Sequence, residues 1–249
     1  MKMDLNDTGI LLIVRIDTKE RLENAIAITD FLVKHFNAPI YMWEIDAYNN
    51  GFLKKLIPTK VKYTFCKDYD PILHRTRYIN KMVDYVQEPY VAIWDIDVIA
   101  HPNQIKKAVE LLRNGADFSY PYETYFCETS VELRNIFLAC KDIEVLIQHQ
   151  TFMNELYAPC PAGGVFFANR HSYIKSGKET EAFYGWGVED GERYHRWEVM
   201  KMKIERVSGP LFHLTHPRGI NSQMKNPNDS IYKNRLRLSA GRGAPWNII

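Results

Sequence analysis

Two carboxylates one residue apart, Asp95 and Asp97, stand near the end of the stretch PYVAIWDIDVI. The residues before them, Tyr90 to Trp94, are apolar or aromatic, the pattern of a strand buried on both faces. Aspartate at a strand end can be a turn residue, because its side chain bonds nearby backbone. A pair at the tip of a buried strand also suits a metal. Hard divalent cations prefer carboxylate oxygens, and open α/β sheets bind ligands outside the carboxyl ends of their strands. Such a site needs further ligands, and GPLFHLTHPRGINS offers His213 and His216. Three apart, they point to opposite faces of a regular strand. At a strand end running into a turn they can converge.

A second group lies in FYGWGVEDGERYHRW, where Glu189 and Asp190 are adjacent acids at an expected helix start. Acids in a first helical turn are favoured by the helix dipole, and on that ground alone an amide at either position would lower stability slightly. The preceding Gly185-Trp186-Gly187 adds a chemical reading. Glycines let backbone approach a ligand closely, a tryptophan ring packs on the apolar face of a sugar, and carboxylates accept its hydroxyl hydrogens. One acid could also deprotonate an attacking hydroxyl. In ILHRTRYIN, Arg75 and Arg77 open a helix, where they are either a solvated basic face or an anion contact.

The elements that must position these residues alternate. GILLIVRID, APIYMWEID, VKYTFC and YVAIWDID read as strands. Between them, helices are expected over 19–36 and 73–86, the first with Leu22, Ile26, Thr29, Val33 and Phe36 on one stripe. Pro102 starts a helix that runs to Arg113. ADFSYP is a strand, 131 to about 148 a helix, GGVFFAN a strand, 188–200 a helix and KIERV a strand. This is an α/β chain with a mostly parallel sheet flanked by helices. Its second half is less regular, and 217–234 reads as one long polar loop.

The 249 residues, 46% apolar, suffice for one large domain or two small ones. With 32 basic against 30 acidic side chains, the net charge of +2 gives no support to a nucleic-acid partner. Cys66, Cys127, Cys140 and Cys160 have no metal-ligand spacing, which fits a reduced, cytoplasmic chain. The N-terminal run ILLIV is far too short to span a bilayer. No integral membrane segment is expected, and peripheral association stays open.

Taken together at these spacings, WDIDV, AGGVFFANR, GWGVED and HLTHPR resemble the β-1,4-galactosyltransferase-like glycosyltransferases of the GT-A fold, from about Ile10 to Ser222. The resemblance implies one Rossmann-like domain over 1–249. Its nucleotide-binding half would run to about residue 115, and an irregular half from about 116 would bind the acceptor and complete the metal site. It implies a divalent cation, usually Mn2+, with Asp97, His213 and His216 as ligands; animal members have methionine where His213 stands. It implies a UDP-sugar donor contacted by Arg15, Asp17, Arg75, Asp95 and Gly164. Trp186, Gly187 and Glu189 would hold the acceptor, a glycan, glycolipid or peptide, and Asp190 would be the catalytic base. Pro161 and Ala162 stand where animal members carry bulky aromatics, which leaves galactose and N-acetylgalactosamine both open as donors.

Two other classes share some of these features. A metal-dependent nucleotidyltransferase also uses paired aspartates, but it wants a glycine-rich phosphate loop after the first strand, and RIDTKERLEN has no glycine. A non-catalytic sugar-binding module would tolerate loss of the base or a metal ligand, and none is missing.

Overall fold

The computed structural model describes residues 2–123, 125–157, 161–223, 229 and 232–235. Among these the strands are β1 (Met3–Asp4), β2 (Thr8–Val14), β3 (Phe36–Asn37), β4 (Ile40–Asp46), β5 (Lys62–Lys67), β6 (Tyr90–Trp94), β7 (Val98–Ala100), β8 (Phe118–Tyr120), β9 (Phe126–Glu128), β10 (Asn154–Glu155), β11 (Val165–Asn169), β12 (Ile204–Arg206) and β13 (Leu211–His213). The helices are α1 (Lys19–His35), α2 (Phe52–Leu56), α3 (Arg75–Tyr85), α4 (Pro102–Arg113), α5 (Val131–Cys140), α6 (Glu144–Gln148), α7 (Arg170–Lys175) and α8 (Glu189–Val199).

Seven strands form one sheet in the order β12-β8-β11-β6-β2-β4-β5. The run from β6 to β5 is parallel, as the alternating pattern predicts. The reversal is β11, antiparallel to both β6 and β8. Strands β2 and β6 are almost wholly buried, because helices cover both faces and every side chain from Ile10 to Leu12 and from Val91 to Trp94 meets core.

A second, four-stranded sheet runs β10-β9-β13-β7. It explains the placement of the acid pair. The strand expected over YVAIWDID stops at Trp94; Asp95, Ile96 and Asp97 turn the chain out of the large sheet, and Val98 begins β7 in the small one. The aspartates sit in the link between two sheets, and the register of each sheet brings other residues to that link. In the large sheet Val165 pairs with Trp94, so Gly163 and Gly164 fall beside Asp95, whose N–H donates to the Gly164 carbonyl at 2.8 Å. In the small sheet His213 pairs with Val98 on one side and Glu128 on the other.

Two expected elements differ. The stripe of α1 is deepest at Ala25, Ile28, Thr29 and Leu32, whereas Leu22, Ile26 and Val33 are only partly buried. Of the expected stripe Thr29 and Phe36 are buried, and the buried face also takes Asn24, whose amide donates to the Leu214 carbonyl at 2.9 Å. The helix expected over 131–148 is two, α5 and α6. Lys141 ends the first in the left-handed conformation (φ 52°), and the Asp142 carboxylate accepts from the Glu144 N–H at 3.1 Å. Cys66, Cys127 and Cys140 are free thiols, and Cys160 lies outside the described residues. Of the long loop expected over 217–234, residues 224–228, 230 and 231 also lie outside them.

Candidate active site

The link between the sheets opens into a cavity of about 510 Å³. Asp95, Asp97, His213 and His216 line one part of it, Gly163 and Gly164 another, and the segment 185–191 a third.

Asp97, His213 and His216 each bring one ligand atom within 4.8 Å of the others. All three are buried, at 8, 5 and 7% exposure. Main-chain bonds fix them. The Leu214 N–H donates to the Asp97 carbonyl at 2.7 Å, and the Thr129 hydroxyl donates to the His213 carbonyl at 3.1 Å. The His216 tautomer follows from its partner. Nδ1 lies 2.9 Å from the Pro217 carbonyl, which can only accept, so Nδ1 carries a hydrogen. Nε2 then faces Asp97 Oδ2 at 3.1 Å. Two lone pairs do not tolerate that approach; a proton or a cation must lie between them. His213 Nε2 is 3.9 Å from Asp97 Oδ1, and its Nδ1 is 3.4 Å from Glu128 Oε1 but too poorly aligned to bond. A cation held by one carboxylate and two imidazoles, with Glu128 behind His213, fits this donor set.

The two aspartates carry opposite electrostatics. Burial works against charge on Asp97, but the His216 bond and the two imidazoles outweigh it and hold the carboxyl well below its usual range. Burial pushes Asp95 up to about 6, and the charges of Asp97 and Asp190 add to this against the pull of Arg75. Arg75, at the first turn of α3, bonds Asp95 through its guanidinium. At neutral pH both carboxyls are mainly anions, Asp97 the more firmly, and Asp95 accepts from Arg75.

On the facing wall, Asp190 lies in the first turn of α8. Arg193 Nη2 donates to its Oδ1 at 2.6 Å and to the Ala162 carbonyl at 3.1 Å. A Cβ at Gly163 would come within 2.7 Å of Asp190 Oδ2, so only glycine admits the carboxylate there. Gly164 takes φ 82°, and a Cβ on it would strike Leu211 at 2.8 Å. The helix begins under strain: its N-cap is Val188, a β-branched residue at φ 69°. The Trp186 carbonyl accepts from Lys233 at 2.7 Å, which pins the Gly-Trp-Gly turn.

Glu189 is 6% exposed, and its Oε2 has no partner. Burial, then the Asp190 charge, push its carboxyl up to about 7 against the pull of Arg75. The folded protein therefore keeps a proton that the unfolded chain releases above its ordinary 4.5. The associated stability is full below that value and is lost as pH rises toward 7. This reverses what the helix dipole alone suggests for the amide. Glu189→Gln is expected to be more stable than the parent at pH 8, by roughly 1–3 kcal/mol, with the gap closing near pH 4. Thermal melts at both pH values check it; a gap of equal size at both refutes it.

The structure thus brings Asp95, Asp97, Gly164, Arg75, Trp186, Gly187, Glu189, Asp190, His213 and His216 to one cavity. Arg15 and Asp17 do not line it. Arg15 donates to the Ile45 and Asp70 carbonyls at 2.9 and 2.8 Å, leaving Nη2 unpartnered. Asp17 pairs with Arg21 at 3.0 Å and reaches the cavity only through Arg21 and Asn221. Glu128, Gly163 and Arg193 were not singled out in the sequence. Arg193 carries a signal, its spacing of three from Asp190 on a helix; Glu128 carries none, since only strand register brings it to His213.

Residues 146–218 match a family described as the N-terminal domain of galactosyltransferase. That segment holds Gly163, Asp190, His213 and His216 but not the aspartate pair. No curated protein sequence matches the chain significantly. Among solved structures, Drosophila β1,4-galactosyltransferase 7 in complex with xylobiose is similar, with a TM-score of 0.57 at 14% identity over 91% of this chain and 79% of that one. A mutant of that enzyme with manganese, UDP-Gal and xylobiose gives 0.56 at 13% identity, over 90% and 78%. Glucosyl-3-phosphoglycerate synthase from Mycobacterium tuberculosis, with Mn2+, UDP and glucosyl-3-phosphoglycerate, gives 0.53 at 11%, over 96% and 81%. The architecture is the GT-A glycosyltransferase fold. Within that fold, residues 146–218 are the part that matches the galactosyltransferase family.

Proposed function

We propose that the protein transfers a hexose, galactose or N-acetylgalactosamine, from a UDP-sugar to an acceptor hydroxyl, by a single inverting displacement that depends on a divalent cation. The observation that carries this reading is the buried Asp97–His213–His216 cluster in the same cavity as Asp190 and the Gly163-Gly164 turn. Two of the similar structures named above contain manganese, one with UDP-Gal and one with UDP, which supports the choice of cation and nucleotide.

In this reading Asp97, His213 and His216 hold the cation. When bound, it would offset charge on the diphosphate of the donor. Arg75 and Asp95 face the nucleotide. Trp186, Gly187 and Glu189 hold the acceptor, which is a glycan, glycolipid or peptide. Asp190 takes the proton of the acceptor hydroxyl. The acceptor oxygen bonds to the anomeric carbon from the face opposite the nucleotide. The bond from that carbon to the diphosphate oxygen breaks, and UDP leaves with the electron pair. The small side chains of Pro161 and Ala162 line the cavity and leave room beside the sugar, which suits either donor.

UDP is expected to bind at least tenfold more tightly with manganese than in EDTA, and Asp97→Ala is expected to erase the difference. Titration calorimetry measures both. Equal affinity in EDTA for the parent protein would end the metal reading.

A further inference from the structure

Residues 47–67 contain five lysines, Lys54, Lys55, Lys60, Lys62 and Lys67, and no acid. In a chain whose net charge is only +2 this is a local concentration of charge. All five are exposed, but Lys62 donates to the Tyr41 hydroxyl at 2.9 Å and begins β5, so it and Lys60 lie at the opposite sheet edge from Tyr48 and Tyr69. Lys54, Lys55 and Lys60 form no ion pair among the described residues. The acids that flank the stretch keep their charge but are held by bonds within the fold: Asp46 accepts from the Ala47 N–H at 2.6 Å, and Asp68 from the Tyr78 hydroxyl at 2.8 Å.

Large apolar and aromatic side chains project among these lysines. Tyr48 is 77% exposed, Phe52 62%, Leu56 49% and Tyr69 68%. Phe52 and Leu56 are four apart on α2 and share its outer face. The inner side of the same segment is satisfied, with Leu53 and Ile57 buried in the core. Packing therefore accounts for the buried residues and leaves the outer apolar pair unexplained. The Lys67 ammonium lies 4.8 Å above the Tyr69 ring, so the two elements of the surface are interleaved.

We propose that this surface docks the protein on an anionic lipid bilayer. Tyr48, Phe52, Leu56 and Tyr69 would enter the interfacial layer while Lys54, Lys55 and Lys67 face its headgroups. A bilayer is apolar beneath an anionic surface, and this patch has the complementary composition. A soluble polyanion would satisfy the lysines but leave Phe52 and Leu56 in water. The position also fits. Strands β6, β2, β4 and β5 are parallel neighbours, so Tyr48 after β4 and Tyr69 after β5 lie at the same sheet edge as Asp95 after β6. Strand β4 is two places from β6, roughly 10 Å across the sheet. On the transfer reading above, an acceptor carried by a lipid would meet the cavity from the membrane side. The docking itself does not depend on that reading.

The test is flotation of the full chain with phosphatidylcholine vesicles, with and without phosphatidylglycerol, in the absence of any sugar nucleotide. The protein is expected to float only with the anionic vesicles and to be released by salt. Lys54→Gln with Lys55→Gln should weaken binding about thirtyfold at low salt. Phe52→Ser with Leu56→Ser should weaken it independently. All four side chains are exposed, and unchanged thermal melts would show that the variants fold. Failure to float with anionic vesicles, or equal flotation with neutral ones, overturns the proposal. So does binding that is lost in the lysine variant but survives in the Phe52/Leu56 variant, because the surface would then be a general polyanion site.

Discussion

Asp190→Asn is expected to cut turnover by about a hundred- to ten-thousand-fold, the usual cost of losing a general base, with affinity for the donor nearly intact. The reason lies in what the substitution preserves. Arg193 donates to Asp190 Oδ1 at 2.6 Å, and an asparagine oxygen accepts the same bond. The second Asp190 oxygen sits over Gly163, where the missing Cβ leaves space for an amide nitrogen as readily as for an oxygen. Position and shape are kept; the ability to take a proton at neutral pH is not. The metal cluster and Arg75 lie on other elements and are untouched. The competing view is that Asp190 only complements the α8 dipole, in which case the amide costs a little stability and no turnover. Steady-state kinetics with UDP calorimetry on the same variant separate the two. Glu189→Gln is the companion: it should raise KM for the acceptor more than it lowers kcat. Normal turnover by Asp190→Asn would remove this residue from the mechanism and leave the transfer reading on the metal cluster alone.

Much of the fold was legible because it rests on local patterns. Alternating apolar runs and helical stripes located β2, β4, β6 and their helices, and Pro102 marked the start of α4 to the residue. The site was partly legible for a different reason. Carboxylates at a buried strand tip, histidines at a strand end and glycines around a tryptophan each break the pattern of their element, and such breaks collect at functional places. Asp97, His213 and His216 were expected to converge, and they lie within 4.8 Å of one another. What sequence could not give was register. His213 meets the aspartate link because β13 pairs with β7 in a second sheet, which no local signal announces. Glu128 arrives the same way, through the pairing of β9 with β13. Arg15 shows the converse. A basic residue after the first strand matches a nucleotide-contacting pattern, yet here its guanidinium is largely spent on the Ile45 and Asp70 carbonyls. The break between α5 and α6 was invisible because neither glycine nor proline marks it.

Behind Asp190 stands a charge pair buried more deeply than the site itself, and breaking it should have the largest effect on stability. The Arg193 and Glu179 side chains are each 1% exposed, with Nη1 lying 3.1 and 3.0 Å from the two carboxylate oxygens. The guanidinium also packs over the Phe166 ring at 4.2 Å. The Tyr173 hydroxyl bonds the Glu179 carboxylate from another direction. Arg193→Met keeps most of the packing but leaves Glu179 charged and unpaired, and it should cost about 3–5 kcal/mol. Glu179→Gln in the same chain removes the stranded charge and still accepts from Tyr173, so the double variant should recover most of that loss. Turnover should not recover with it. Arg193 is what holds Asp190 Oδ1 and the Ala162 carbonyl together, and methionine offers no donor to either. If Arg193 matters only for stability, the double variant will be both stable and active. If it positions the base, the double variant will be stable and slow, with kcat lowered and UDP affinity retained. Denaturant melts and kinetics on the single and double variants decide between these outcomes, and full activity in the stable double variant would assign Arg193 to the core alone.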